Sequence, residues 1–268
     1  MPEHTTFFSY LIASLGLGKH FDGPSLLFHE KMHGVAAAEP IVASLFVVLL
    51  ILGLAAIARG QIVNYDKSVL PDENLSVRTF FELLIGYFYD LMKDMMGPAK
   101  AKRFFPVIGT CACFILFSNF LGFIPGFSPP TSSWSVTAGC AIVVAVLYNF
   151  YGIKENGLGY IKHLFGPSLP LAIIIFPIEL LTVLLLRPAT LSIRLMLNMT
   201  VDHILVSVML SMFALFLPLP IMVLGTLVAI VQVLVFCLLS SVYIALATEH
   251  EEHGDGHGHA KSGQAHSH

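Results

Sequence analysis

RPATLSIRLMLNMTVDH, Arg187 to His203, stands inside a run from Leu164 to Thr248 whose only charged residues are Glu179, Arg187, Arg194 and Asp202. A fixed charge at the bilayer centre costs about 2.5–3.5 kcal/mol on insertion scales. A chain keeps one there when it lines a water path or meets a partner charge. The run from Leu164 to Leu246 holds over 80 residues and is broken at Pro218-Leu219-Pro220. That exceeds two minimal crossings of about 20 residues each. It reads as two long helices, strongly tilted or running partly along the membrane, with the proline pair as the tip of their hairpin.

The whole chain agrees with a membrane reading. It has 268 residues, of which 56% are hydrophobic and 12% charged, and a mean hydropathy of +0.81. Soluble domains carry about 25% charged residues. The formal net charge of −3 is segregated along the chain, and no basic footprint for nucleic acid is visible. Cys111, Cys113, Cys140 and Cys237 all lie in apolar runs and read as small buried hydrophobes. A lone Cys-x-Cys within a span is weak ground for a metal or a disulfide. HExxH, G-x-S-x-G and a P-loop are absent from the sequence, and GLGKH at 16–20 lacks the P-loop spacing. No cofactor and no metal are expected.

Working outward, Pro40 to Ala58 is an uncharged first span closed by Arg59. Residues 74–96, NLSVRTFFELLIGYFYDLMKDMM, interleave Arg78, Glu82, Asp90, Lys93 and Asp94 with Phe80, Phe81, Leu84, Tyr87, Phe88 and Leu91. This pattern predicts an amphipathic helix in the membrane interface or packed on a partner, with Ser76 as N-cap and Gly97-Pro98 as the stop. Spans from Phe104 to Ile124 and from about Trp134 to Tyr151 follow, joined by a turn marked by Pro125-Gly126 and Pro129-Pro130. The expected fold is an all-α integral membrane protein with five traversing helices plus the interfacial helix. Residues 1–38 form a surface segment that does not look like a cleaved signal, 39–248 the membrane domain, and 249–268 a disordered His-rich tail, solvated rather than metal-binding.

Orientation follows from the basic residues. The loop from 59 to 103 has seven Lys and Arg, the loop from 152 to 168 has two, and those at 125–133 and 217–220 have none. The basic loops belong in the cytoplasm, which puts the N-terminus outside and the C-terminus inside.

Taken as a helix from about Pro177, Arg187, Thr190, Arg194, Asn198 and Asp202 form one polar stripe. Thr200, His203, Ser207 and Ser211 form another, with His203 about 180° from Arg194 at 100° per residue. Arg187, just before Pro188, anchors a bend more readily than it carries chemistry. Arg194 could pair internally with Glu179 or Asp202, or meet a charge on another chain. Gln232, deep in the last helix, suits a helix–helix hydrogen bond. His203 fits either a satisfied buried histidine or a proton-path residue.

Three segments then carry a resemblance. RPATLSIRLMLNM (187–199), VQVLVFCLLSSVYI (231–244) and SNFLGFIPG (118–126) closely resemble subunit a of the bacterial F-type ATP synthase, and the likeness covers about residues 40–248. The resemblance implies the stator half of the F0 proton channel, with two offset half-channels that couple proton flow to ring rotation and ATP synthesis. The chain would be no enzyme in isolation. The expected partners are a c-subunit ring, b subunits of the peripheral stalk, the remaining ATP synthase subunits and the lipid bilayer, in a bacterial plasma membrane. The family's ring-facing arginine falls on Arg194, its asparagine on Asn198, its last-helix glutamine on Gln232 and its outer-channel acid or histidine on His203, with Asp202 beside it and Ser207 further along. There are departures. Leu197 replaces a small residue, Gly225 stands where the family has His or Glu, and Glu179 sits one residue too far upstream for the family's acidic position. The translocated ion, H⁺ or Na⁺, is left open. Two other classes compete on the polar stripe alone. A stand-alone secondary cation transporter usually shows internal repeats, and none is visible. A non-transporting membrane anchor has no use for a buried polar stripe.

Overall fold

The computed structural model describes residues 6–15, 34–62, 77–124, 126–156, 176–212 and 218–248. Every element in these residues is helical. In chain order they are α1 (Phe7–Leu15), α2 (Gly34–Ile62), α3 (Val77–Met96), α4 (Pro98–Leu121), a 3₁₀ turn (Pro130–Ser132), α5 (Trp134–Asn156), a helical lead-in at 176–181, a π turn (Thr182–Leu186), α6 (Arg187–Met212) and α7 (Pro218–Ala247). Five helices are long and apolar enough to cross a membrane: Ala38–Gly60, Pro98–Leu121, Trp134–Lys154, Phe176–Met209 and Leu219–Ala247. The fourth has 34 residues. At about 1.5 Å per residue it is about 51 Å long, against a hydrocarbon core of about 30 Å. Tilt, kinking or local thickening of the bilayer must absorb the excess.

The spans bury one side and leave the other to lipid or partners. On α2, Ala38, Ala43, Val47 and Ala58 are buried, while Leu45, Leu49, Leu52 and Ile57 are more than half exposed. On α4 the buried stripe Ala101, Phe104, Ile108, Ala112 and Ile115 advances by three or four residues, the period of one helix face. The main core joins this stripe to Phe88 and Met92 of α3, Val144 and Tyr148 of α5, Leu191 and Leu195 of α6, and Val233 and Phe236 of α7.

Helix α3 is amphipathic as its sequence suggests, but its buried stripe is narrower. Phe81, Phe88, Met92 and Met96 are buried, while Phe80 and Tyr87 are 46% and 55% exposed. The helix lies against α4 and α7, and only one aromatic of each adjacent pair can face them. Arg78 Nε donates to Glu82 Oε1 at 2.8 Å, an i,i+4 pair on the outer side. Ser76 lies outside the described residues. The stop at Gly97-Pro98 is a corner of a single residue. Gly97 takes φ 80°, a conformation costly for a side chain, and Pro98 opens α4. The amide of Gly97 donates to the Lys93 carbonyl at 2.9 Å. Beside this corner, Lys100 Nζ donates to the Thr248 carbonyl just beyond α7, also at 2.9 Å.

Helix α1 packs on α2 and on the α4–α5 connection. Phe7 N donates to the Gly126 carbonyl at 2.9 Å, Thr6 donates to the Glu39 carboxylate, and Phe8 meets Phe46 and Phe127 at ring-centroid distances of 5.7 and 5.3 Å. The histidines of the first 38 residues and the tail from 249 to 268 lie outside the described residues. All four cysteines are free thiols.

The proline pair corrects one expectation. Pro218 and Pro220 are not the tip of the hairpin but lie in the first turn of α7. The first-turn amides of a helix have no intrahelical partner, so proline loses nothing there.

Candidate functional site: one face of α6 and its seam with α7

Helix α6 buries Leu191, Ser192, Leu195 and Met199, and exposes Ile193, Arg194, Leu197 and Val201. Ser192 Oγ bonds to Thr137 Oγ1 on α5 at 3.2 Å. Arg194 is therefore turned away from the bundle. Neither Glu179 nor Asp202 forms an ion pair with it; among the described residues Arg194 has no carboxylate partner. A guanidinium is always charged in proteins.

The rest of the first polar stripe leans on α7 in an antiparallel register. Arg187 lies over the Tyr243 ring, 5.2 Å from its centroid. Asn198 Nδ2 donates to Gln232 Oε1 at 2.6 Å. The Asp202 carboxyl stands beside Gly225. A Cβ built there would lie 3.6 Å from Asp202 Cγ and 3.0 Å from Phe123 Cε1. A methyl there would be tight against Phe123 and in ordinary contact with the carboxyl, and a larger side chain would crowd both. Thr190 differs, since its hydroxyl turns back onto the Leu186 and Arg187 carbonyls at 2.8 and 3.0 Å.

Gln232 is only 4% exposed, and its Nε2 has no hydrogen-bond partner among the described residues. A buried amide donor left unspent costs about 1–3 kcal/mol. Asn198 holds the carbonyl end of Gln232, so the two amide hydrogens remain available one helical turn from Arg194. Of the second stripe, Thr200 and His203 are half-buried and Ser207 is exposed, bonding back to the Ile204 carbonyl at 2.9 Å. The side chain of Ser211 lies outside the described residues.

A uniform helix from Pro177 does not hold. Glu179, half-buried, precedes the π turn at Thr182–Leu186, and α6 proper begins at Arg187. The wider i→i+5 turn takes up about one extra residue, and that rotates Glu179 relative to the Arg194 face. Tyr148 of α5 donates its hydroxyl to the Val183 carbonyl within this turn, where the change of hydrogen-bond ladder leaves an acceptor available. The π turn and both tyrosines were missed from sequence. The local TVLLL carries no signal for a π turn, although the extra residue between Glu179 and Arg194 was a trace of it.

A second polar group underlies α6 at the α4–α5 connection. Thr131 Oγ1 donates to Asn119 Oδ1 at 2.9 Å, and both residues are buried with Ser118. Gly122 lies so close to Met199 and Pro129 that any side chain there would collide with them. Among the described residues, no three of His, Cys, Asp and Glu are grouped to hold a metal.

These features define a class: a multi-pass helical membrane protein with a fixed cation on an outward face, a buried amide on the neighbouring helix, and a half-buried carboxyl and imidazole further along. The family described as ATP synthase A chain matches residues 41–245, and the chain belongs to that family. It is 50% identical to the ATP synthase subunit a of Sorangium cellulosum, over 94% of this chain and 100% of that one. It is 37% identical to that of Desulfotalea psychrophila, over 93% of this chain and 99% of the relative. Against that of Bdellovibrio bacteriovorus the identity is 38%, over 83% and 94%. The chain is thus an F0-sector component of the ATP synthase, a multi-pass bacterial membrane protein serving proton transport and ATP synthesis.

Proposed function

We propose that this chain is the stator of the F0 proton channel and that Arg194 is the cation its rotating partner meets. The observation that carries this reading is an arginine exposed on an apolar helix face with no ion pair among the described residues. Such a charge is costly in lipid, and a passing carboxylate on another chain relieves the cost.

The chemistry follows from elementary electrostatics. Each carboxylate of a ring of c subunits crosses lipid protonated, because an unpaired ionised carboxylate there is expensive. Opposite Arg194 the ionised form is stabilised, so the proton leaves into one half-channel. Once past, the carboxylate is reprotonated from the other. Arg194 cannot relay protons, and its fixed charge repels any that would leak directly between the two paths. One charge crossing 100 mV releases about 2.3 kcal/mol, so a leak wastes the driving force.

In this reading Asp202 and His203 move protons in the outer half-channel, with Ser207 along it. The Asp202 carboxylate occupies the space beside Gly225, where the family carries a His or Glu. Asn198 orients Gln232, whose buried amide lies behind the Arg194 face. Glu179 belongs to the same path, its extra residue of spacing absorbed by the π turn. The N-terminus lies outside and the C-terminus in the cytoplasm, and b subunits hold the chain against rotation. The chain does no chemistry on ATP itself.

Arg194→Ala in the intact complex tests the proposal. Proton-driven ATP synthesis in membrane vesicles should be lost, and Arg194→Lys should fail as well because the planar fork is gone. Coupled synthesis at the normal rate in Arg194→Ala would overturn the assignment.

A further inference from the structure

The end of the bundle where α4 begins and α5 finishes carries a second constellation, unrelated to the α6–α7 seam. The Arg103 guanidinium of α4 stacks on the Tyr151 ring of α5, 4.4 Å from its centroid, and lies 5.8 Å from that of Phe104. The Lys154 ammonium lies 5.9 Å from the same Tyr151 centroid. Phe104 and Tyr151 meet edge to face at 4.8 Å, and Phe150 packs on Tyr151 at 5.4 Å. Two cations from different helices are thus held around one aromatic platform. Both are exposed, and among the described residues Lys154 has no ion-pair partner. Their distances to the ring keep the two cations within about 10 Å of each other, and their combined positive potential attracts an anion.

The platform sits at a membrane boundary, since the spans Pro98–Leu121 and Trp134–Lys154 begin and end there. From it an apolar ridge runs along α5. Ile153, Phe150, Val146 and Ile142 are each more than half exposed and recur every three or four residues on one face. Ile142 to Ile153 spans about 16 Å at 1.5 Å per residue, close to one leaflet of a hydrocarbon core about 30 Å thick.

We infer that Arg103 and Lys154 form a binding site for the phosphate headgroup of an anionic diacyl phospholipid whose acyl chains lie along Ile142, Val146, Phe150 and Ile153. Charge complementarity selects an anion, and the leaflet-long ridge ending at the cations selects a lipid over a soluble one. The aromatic platform holds Arg103 by cation–π contact, which is stronger when desolvated. The site needs only a membrane-spanning chain and is independent of the part played by Arg194.

The test uses the intact ATP synthase complex, delipidated in detergent and titrated with dioleoyl phosphatidylglycerol or, as control, dioleoyl phosphatidylcholine, with bound lipid counted by native mass spectrometry. The Arg103→Gln, Lys154→Gln double variant should bind phosphatidylglycerol about 30-fold more weakly, the equivalent of two interfacial cations. Phosphatidylcholine binding should stay unchanged, and the Arg103→Lys, Lys154→Arg variant should restore phosphatidylglycerol. In otherwise unaltered complex, a benzoylphenylalanine photo-cross-linker at Phe150 should gain the mass of a phospholipid. Equal loss of both lipids, no loss of either, displacement by excess inorganic phosphate, or a photoadduct with another subunit would each overturn the site.

Discussion

Arg187 and Arg194 stand seven residues apart on one helix, and the structure treats them in opposite ways. Arg187 is half-buried over Tyr243. Arg194, two turns on, has apolar neighbours at Ile193 and Leu197 and, among the described residues, no ion-pair partner. Along the α6–α7 seam Arg187 meets an aromatic ring, Asn198 bonds Gln232, and Asp202 stands beside Gly225. At Arg194 the seam does not reach. Within one helix, then, a cation with a partner among the described residues can be told from one without, and sequence spacing alone does not draw that line.

The contrast can be broken in graded ways. The largest effect is expected at Arg194, where removing a fixed stabilising charge should lower coupled ATP synthesis by about 100-fold or more, measured in inverted vesicles. Next comes the gap beside Asp202. Gly225→Val puts a side chain against Phe123 and Asp202, and proton flux should fall several-fold while the complex still assembles. Unchanged flux would remove Asp202 from the path. Gln232→Leu leaves Asn198 without its acceptor, and an unmade buried bond of this kind costs about 1–3 kcal/mol; thermal unfolding of the complex in detergent should show the loss, with a reduced rate of synthesis beside it. Arg187→Gln should be milder, since a cation–π contact is worth about 0.5–2 kcal/mol. A loss of coupling there as large as at Arg194 would erase the distinction between the two arginines. Smallest of all, Tyr148→Phe removes one hydrogen bond to the π turn, about 0.5–1.5 kcal/mol, read as a modest drop in thermal stability.

Much of this was legible in the sequence because membranes reward simple signals. Runs of about 20 apolar residues mark the spans: the first and third appear near their expected limits, the second opens six residues early at Pro98, and two long helices lie within the run from 164 to 248. The 3.6-residue period placed Arg187, Asn198 and Asp202 on one stripe, and each meets α7. Illegible were features set by neighbours. Whether Phe80 or Phe81 goes inside depends on where α4 and α7 lie, not on hydrophobicity, which they share. The π turn receives a hydrogen bond from Tyr148 on another helix, to Val183, and the local sequence does not announce it. The proline pair was read as a breaker, yet proline is equally at home as an opener. No ion pair joins Arg194 to Glu179 or Asp202, and only coordinates could decide that.

The hydrogen bond from Lys100 to the Thr248 carbonyl, beside the Gly97 corner, has a mechanical meaning. A stator is dragged sideways by whatever turns against it. In this chain the face that would take the drag is on α6, and α6 is stitched along its length to α7. The far end of α7 is tied in turn to the first turn of α4, at a corner where α3 and α4 are separated by a single residue. Force on the exposed face would therefore pass through the last helix into the corner between α3 and α4, loading the helices as one frame rather than peeling them away singly.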